Sequence, residues 1–599
     1  MRNVVRAIAL AAAVLLIVTG CGGPKGKKAE IKNPDTFIYV AYGSVDSLDP
    51  AKAYDNCSGG LLQNLYEGLI AYDGPSTTKF IPVLATKVPS VENGGISKDG
   101  KTYTFEIRKG VKFHSGNKLT PEVVAYSFKR NLVVDCEGGP IPLIYEPLFG
   151  IGTSSTDVKG DGTNQKITLA MLDQAIEVKG NTVVFHLKEP YSPFLSVLAN
   201  YWGSIIDMEF AKAHGDWDGT EEGIAKANRP EQGKEPLTDI ASGTGPYKLV
   251  RIDKATEVVF ERFEDYWGKK PALAKAIYKN VEEWSTRKLM LQQGDADYVL
   301  VDPMYFAEMD KEPGIKRYPE FGKEGTLVEL SNRGISFNQK IAATDNPYIY
   351  SGKLDGKGVP PDFFADKNVR LAFTYAFDKA TYLKDINMGF GIAAETPIPS
   401  GLPYFNPDLK PYPYDPAKAA EYFKAAFGGQ LWEKGFQLDL TYNAGNDVRA
   451  QTMAMLAESL KNINPKFKVQ PRAVDWATFV QQQNKKVLPI FYIGWGADFA
   501  DPHNFIYTYM YSKGGLYANR CSYSNPEADK LIEEGLAASD PAARKAAYYR
   551  LQDIWLEDVP GIMLHQPIRQ QYFKDWVKGY YFHPMENNPN QFAMYSKGY

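Results

Sequence analysis

Tyr103-Thr104-Phe105-Glu106-Ile107-Arg108-Lys109-Gly110-Val111-Lys112-Phe113-His114-Ser115-Gly116 runs on into Leu119-Thr120-Pro121-Glu122, and both structural periods of this chain meet there. Up to Ile107, polar and apolar side chains alternate, the period of a half-buried strand. Gly110 and Gly116 are placed to make turns. Thr120 can accept from free helix N–H groups and Pro121 suits a first turn, so a capped helix follows. The same strand signal recurs in Phe37-Ile38-Tyr39-Val40-Ala41, Thr182-Val183-Val184-Phe185-His186-Leu187 and Glu257-Val258-Val259-Phe260-Glu261. A second helix opens at Asp415-Pro416-Ala417, and residues 525–558 read as two helices broken near Ser539-Asp540-Pro541. Pro397 to Pro413 reads as a loop with aromatics between its prolines. Strand-like and helical runs alternate without an internal repeat, which predicts a mixed α/β body.

The amino end carries an address rather than fold. Arg2 and Arg6 precede an unbroken apolar run from Ala7 to Val18, then Thr19-Gly20-Cys21. A basic start, a short greasy segment and small residues before a cleavage point make a secretory signal. The run is too short for a permanent span, which needs about 20 residues. Val18-Thr19-Gly20-Cys21 also resembles the bacterial lipobox, whose cysteine is diacylated and becomes the mature N-terminus. A lipid on Cys21 would hold the body at a membrane face, in the periplasm or outside the cell, with residues 21–32 as a flexible tether.

Composition excludes several function classes. The 599 residues carry 68 Lys and Arg against 71 Asp and Glu, net −3, and the balance turns more acidic once Arg2 and Arg6 leave with the signal. No basic patch of the kind a phosphate backbone demands is present, so no nucleic-acid partner is expected. Cys57, Cys136 and Cys521 follow Cys21; the odd count leaves one thiol free, or all three. Six histidines, at 114, 186, 214, 503, 565 and 583, show no metal-ligand spacing, and neither metal nor cofactor is expected. Neither a nucleophile elbow nor a P-loop occurs. Gly243-Thr244-Gly245-Pro246 lacks the third glycine of a dinucleotide loop and reads as a turn before a strand. Asp157 to Gly162 only hints at a calcium loop, because Lys159 stands where a ligand oxygen belongs.

From Asp46 onward the chain resembles the solute-binding proteins of ATP-binding cassette importers, specifically the large peptide-binding family. The resemblance rests on stations met in order. These are Ser47-Leu48-Asp49-Pro50, Asn64-Leu65-Tyr66-Glu67-Gly68-Leu69 and the 103–116 stretch, then Gly243 to Tyr247, Asp265-Tyr266-Trp267-Gly268 and Leu291 to Asp297. Asn368-Val369-Arg370-Leu371-Ala372, Tyr375 to Asp378, Tyr414-Asp415-Pro416 and Gly494-Trp495-Gly496-Ala497-Asp498-Phe499-Ala500-Asp501-Pro502 complete the series. It implies the two-lobed periplasmic-binding-protein fold of type II, with an extra subdomain inserted in lobe I. Placed on this chain, lobe I is 33–66, 171–284 and 562–599, the subdomain 67–170, and lobe II 285–561. The ligand fills the gap and tips a hinge toward a closed form, which a permease can distinguish from the empty one.

The resemblance also implies a site. Asp498, after Trp495-Gly496-Ala497, is expected to hold a peptide's α-ammonium. Trp495 offers an aromatic face, and Gly494 and Gly496 would let main chain approach the ligand. Tyr42, Gly43 and Ser44, after the first strand, and Cys57-Ser58-Gly59 are expected at the cleft rim. Asp501 is expected to cap a helix, and Arg108 to form an ion pair. Dipeptide-type relatives carry an arginine in the loop after the strand that here reads Leu438 to Asn443; this chain has Ala444-Gly445-Asn446-Asp447 there, with Arg449 beyond on the next helix. That favours longer peptides. The function implied is a monomeric, lipid-anchored, non-enzymatic receptor passing oligopeptides to its permease. An oligosaccharide receptor on the same scaffold is the alternative, suggested by 38 tyrosines and 9 tryptophans, and an exported hydrolase a remote one.

Overall fold

The computed structural model describes residues 30–154, 167–231, 233–319, 327–538, 540–585 and 591–599. The signal, Cys21, most of the tether and the 157–162 loop lie outside them. No helix among the described residues is long and apolar enough to cross a membrane.

Two seven-stranded sheets divide the chain. The first runs Ile315–Tyr318, Gln571–Lys574, Tyr298–Val299, Thr36–Ala41, Lys275–Asn280, Glu257–Arg262, Tyr247–Asp253. Thr36–Ala41 lies at its middle, parallel to both neighbours and buried from Phe37 on, so its near-continuous apolar run is what this position demands. The second sheet runs Leu327–Val328, Gly561–Arg569, Ser331–Phe337, Ile490–Gly496, Phe436–Asn443, Phe467–Val474, with Gly391–Ala393 also on Gly561–Arg569. Thr102–Glu106, Thr182–His186 and Ile176–Lys179 form a separate three-stranded sheet, whose Phe105, Val183 and Phe185 share one core with Phe37 and Tyr278 of the first.

Helix boundaries follow the caps. Thr120 accepts from the Val123 N–H at 3.4 Å and opens Pro121–Val134; Asp415 accepts from Lys418 at 2.9 Å and opens Pro416–Ala425. Pro526–Ala537 and Pro541–Asp558 are two helices, the second capped by Asp540. Residues 397–413 hold neither helix nor strand. Gly243 and Gly245 lead into the strand Tyr247–Asp253; a Cβ on either would fall within 2.4 Å of a carbonyl oxygen of Leu65 or Asn64, so both glycines serve close backbone packing.

Sheet membership moves the expected lobe boundaries. Tyr298–Val299 and Ile315–Tyr318, placed in lobe II by the 285 boundary, hydrogen-bond to Gln571–Lys574 and belong to the first sheet. The 562 boundary cuts Gly561–Arg569, a single strand of the second sheet. Ile176–Lys179 and Thr182–His186, placed in lobe I, pair with the inserted sheet. Chain passes between the two sheets after Tyr318 and again at Gln570.

Many of the stations that carry the resemblance are internal braces. Arg130 bonds Asp49 at 2.5 Å and Asp216 at 2.7 Å, all three at most 1% exposed. Glu67 accepts from Thr244, Tyr266 and Trp267. Asp297 accepts from Ile38 N, Trp576 Nε1 and Lys597 Nζ, tying the carboxyl end to the first sheet. Arg108 donates to the carbonyls of Val83 and Ala85 and lies 4.5 Å over the Trp267 ring, in place of the expected ion pair. Cys57, Cys136 and Cys521 are all free thiols.

Candidate functional site

A cavity of about 740 Å³ lies between the two sheets, walled from one side by residues 44–63 and 200–202 and from the other by 329–333, 480–485, 493–498 and 516–520. Contacts across the gap hold it closed. Tyr54 donates to Asp498 at 3.0 Å, and Asn200 reaches the Asp498 carbonyl at 3.4 Å. Farther out, His503 Nε2 meets Glu146 at 3.0 Å, and Glu146 also accepts from Tyr191.

Asp498 lies two residues beyond the strand Ile490–Gly496, before the helix Pro502–Met510. Asp501 caps that helix through the His503 N–H and is held by Arg544 at 2.8 and 2.9 Å. Asp498 is 7% exposed and accepts from Tyr54 and from Asn504 Nδ2 at 2.7 Å. No cation among the described residues pairs with it. Burial pushes its carboxyl up to about 7, although both hydrogen bonds favour the charged form. Asn504 also fixes Trp495, accepting from its Nε1 at 3.0 Å. Trp495 stands edge-on to Tyr54 and Tyr517, with ring centroids 5.6 and 5.5 Å away.

Six of the ten expected cleft residues line the cavity: Ser44, Gly59, Gly494, Trp495, Gly496 and Asp498. Tyr42, Gly43, Cys57 and Ser58 do not. Tyr42 donates to Asp302 under the Arg287 guanidinium; Gly43 is clasped by Asn280 and Tyr278; the Cys57 thiol points at the Gly43 carbonyl. Ser58 is fully buried, and its Oγ accepts from the Asp46 N–H at 2.9 Å. Their segment also reaches the cavity through Tyr54, Asp55 and Gly60, which the sequence did not single out. Asp55 caps the helix Asn56–Leu65, and burial raises its carboxyl to about 6. The two glycines of the second-sheet strand differ in role. A Cβ on Gly494 would lie 2.3 Å from the Asn332 carbonyl, so its bareness serves the neighbouring strand; Gly496 has open space around it.

Four arginines on the wall were not singled out from sequence, apart from the remark on Arg449. Arg569 pairs with Glu329 at 2.5 Å, and Arg333 reaches the same carboxylate at 3.4 Å. Arg449, in the first turn of Asp447–Ile463, is held among the described residues by neutral partners: Asn443 Oδ1 at 2.7 Å, the Tyr492 carbonyl and the Tyr492 ring. Arg520 likewise bonds Asn484 Oδ1 at 2.8 Å and Gln483 Oε1 at 3.0 Å and lies over Tyr517. Burial lowers the pKa of both. Two carboxylates, Asp498 and Asp55, and two guanidiniums, Arg449 and Arg520, therefore share the cavity wall without a counter-charge among the described residues. Among the described residues no group of His, Cys, Asp and Glu could hold a metal ion.

Two α/β lobes shut over a cavity lined with charges that lack counter-charges define a receptor for a small solute, in the class of periplasmic binding proteins. The chain belongs to the bacterial extracellular solute-binding proteins, family 5, whose middle region matches residues 79–517. It is 28% identical over 579 residues to the dipeptide-binding protein of Escherichia coli (strain K12), covering 92% of each chain. Among solved structures it is similar to the ABC transporter-associated periplasmic binding protein DppA from Helicobacter pylori in complex with the peptide STSA. There the TM-score is 0.73 at 24% identity, covering 94% of this chain and 98% of that one. The oligopeptide-binding protein AppA from Bacillus subtilis, in complex with a nonapeptide, gives a TM-score of 0.71 at 22% identity, covering 95% of this chain and 100% of that one.

Proposed function

We propose that this protein is the lipid-anchored receptor of an ABC importer, and that it captures short peptides between its lobes and presents the closed form to a permease. The observation that carries the reading is Asp498, a carboxylate buried in the cavity wall with hydrogen-bond donors but no cation. Ionising it without a partner is unfavourable, and a ligand ammonium supplies what is missing. Arg449, with Arg333 near enough to depress its pKa further, would meet the peptide's carboxyl terminus. The arginine absent from the 444–447 loop is thus replaced by one from the following helix. A cavity of about 740 Å³ lies within the roughly 300–1,000 Å³ of small-ligand sites, so a peptide of a few residues is favoured over a long one. The names of the relatives, which bind a dipeptide, a tetrapeptide and a nonapeptide, support the same substrate class.

Titration calorimetry with di- to pentapeptides and their N-acetylated forms tests the reading. Binding of the free amines, with acetylation weakening it at least a hundredfold, is expected; saturable binding of oligosaccharides and none of peptides would replace peptide by sugar as the cargo. The anchor is tested separately, by the intact mass of detergent-extracted protein. A diacylated Cys21 at the mature N-terminus is expected, and a Cys21→Ala variant should lose the lipid.

A further inference from the structure

We infer that the wall around Arg520 is a subsite for an acidic side chain, so that the protein selects peptides bearing Asp or Glu near their amino end; this rests on the peptide reading above. Arg520 and Gln483 both line the cavity and are only 7% and 1% exposed. Among the described residues every partner of the guanidinium is neutral: Asn484 Oδ1 takes Nε–H, Gln483 Oε1 takes Nη1–H, and Tyr517 lies under the plane at 5.4 Å. A buried guanidinium without a counter-charge is costly in a wall built only for packing. A second, independent sign points the same way. Gln483 spends its oxygen on Arg520 and leaves its Nε2 buried with no hydrogen-bond partner among the described residues. Buried amide donors are rarely left so. A guanidinium fork on the cavity wall, with an unpaired amide N–H packed behind it that a small side-chain shift would bring forward, is a donor set for a carboxylate.

Three acids on the wall have partners of their own, and the other three, Asp46, Asp55 and Glu137, make no ion pair with Arg520 among the described residues. Glu329 is matched by Arg569 and Arg333, Glu235 accepts from the Gly233 N–H and Thr238, and Asp498 accepts from Tyr54 and Asn504. Position relative to Asp498 sets where in the ligand the acid must lie. Arg520 stacks on Tyr517, Tyr517 meets Trp495 edge-on, Trp495 meets Tyr54, and Tyr54 bonds Asp498. A single aromatic cluster therefore separates the carboxylate from the guanidinium. A peptide with its ammonium at Asp498 lays its first side chains across that cluster, whereas its carboxyl terminus is served by Arg449.

Calorimetry with tripeptides in which Glu, Gln or Ala is moved through the three positions, each with free and amidated carboxyl termini, tests this on the full mature protein. Glu is expected to bind at least tenfold more tightly than Gln at one of the first two positions, amidated or not, the scale of a hydrogen bond to a charged group. Arg520→Gln should abolish that preference while leaving Ala-series affinity within about threefold, and Arg520→Lys should restore part of it. Should Arg520→Gln fail to fold, Gln483→Leu, which removes the unpaired donor, is expected to reduce the Glu-over-Gln ratio alone. Equal binding of Glu and Gln peptides overturns the inference but leaves the peptide reading intact. A preference lost on amidation would reassign Arg520 to the carboxyl terminus. Failure of every peptide to bind refutes the broader reading.

Discussion

Replacing Asp498 by Asn should do two opposite things, and their opposition is the test. With the cleft closed and no ligand cation in it, the carboxyl is raised from 3.8 to about 7 because burial penalises its charge. At about 1.4 kcal/mol per pH unit, holding it ionised at pH 8 costs on the order of 4 kcal/mol of folding free energy. Asparagine keeps an oxygen for Tyr54 and Asn504 and carries no charge, so the empty variant should melt at higher temperature than the parent at pH 8. With a free-amine peptide the order reverses. The ammonium–carboxylate pair is gone and the ligand's charge is left unmatched, a loss of about 3–5 kcal/mol, or roughly a hundred- to several-thousand-fold in affinity. Thermal denaturation without ligand and calorimetry with a tripeptide and its N-acetylated form read both effects. The parent should discriminate strongly against acetylation and the variant hardly at all. A variant less stable when empty, with unchanged discrimination, would refute the assignment and make Asp498 a structural brace.

Peptide affinity should rise with pH up to about 7, because below that value the empty protein holds a proton on Asp498 that binding must expel; calorimetry at pH 6 in buffers of different ionisation enthalpy should detect its release. By the same linkage, stability contributed by neutral Asp498 and Asp55 in the empty protein is present at low pH and lost as pH rises through about 6 to 7, which denaturant titrations across pH 5–8 would show. Arg130→Met leaves Asp49 and Asp216 buried and unpaired and should cost about 3–5 kcal/mol in urea unfolding, with no direct effect on the cavity. Gly494→Ala should destabilise markedly, since its Cβ would press on the Asn332 carbonyl, whereas Gly496→Ala should fold normally and change only ligand affinity.

What could be read in the chain alone divides by the range of the interactions involved. Thr120, Asp415 and Asp540 act on N–H groups two or three residues away, so capped helices were visible as letters. The expected boundary at 285 failed for the opposite reason. Tyr298–Val299 and Ile315–Tyr318 are too short to show alternation, and their hydrogen bonds run to Gln571–Lys574 at the far end of the chain. Four of the rim residues failed similarly: Ser44 and Gly59 do border the cleft, but Ser58 turns inward to the Asp46 amide and leaves its part of the wall to Tyr54 and Asp55. Asp498 was reachable because it sits inside a recognisable run from Gly494 to Pro502. Arg520 had no such run, and no spacing could have found it. Arg569 and Arg520 are the same letter, yet Glu329 cancels one inside the wall and no acid among the described residues pairs with the other. Whether a charge is spent on the fold or left for a ligand is a property of pairing across the closed cleft. Selectivity in this receptor is therefore written in the remainder after the internal ion pairs are subtracted, and that remainder exists only once the two lobes have been brought together.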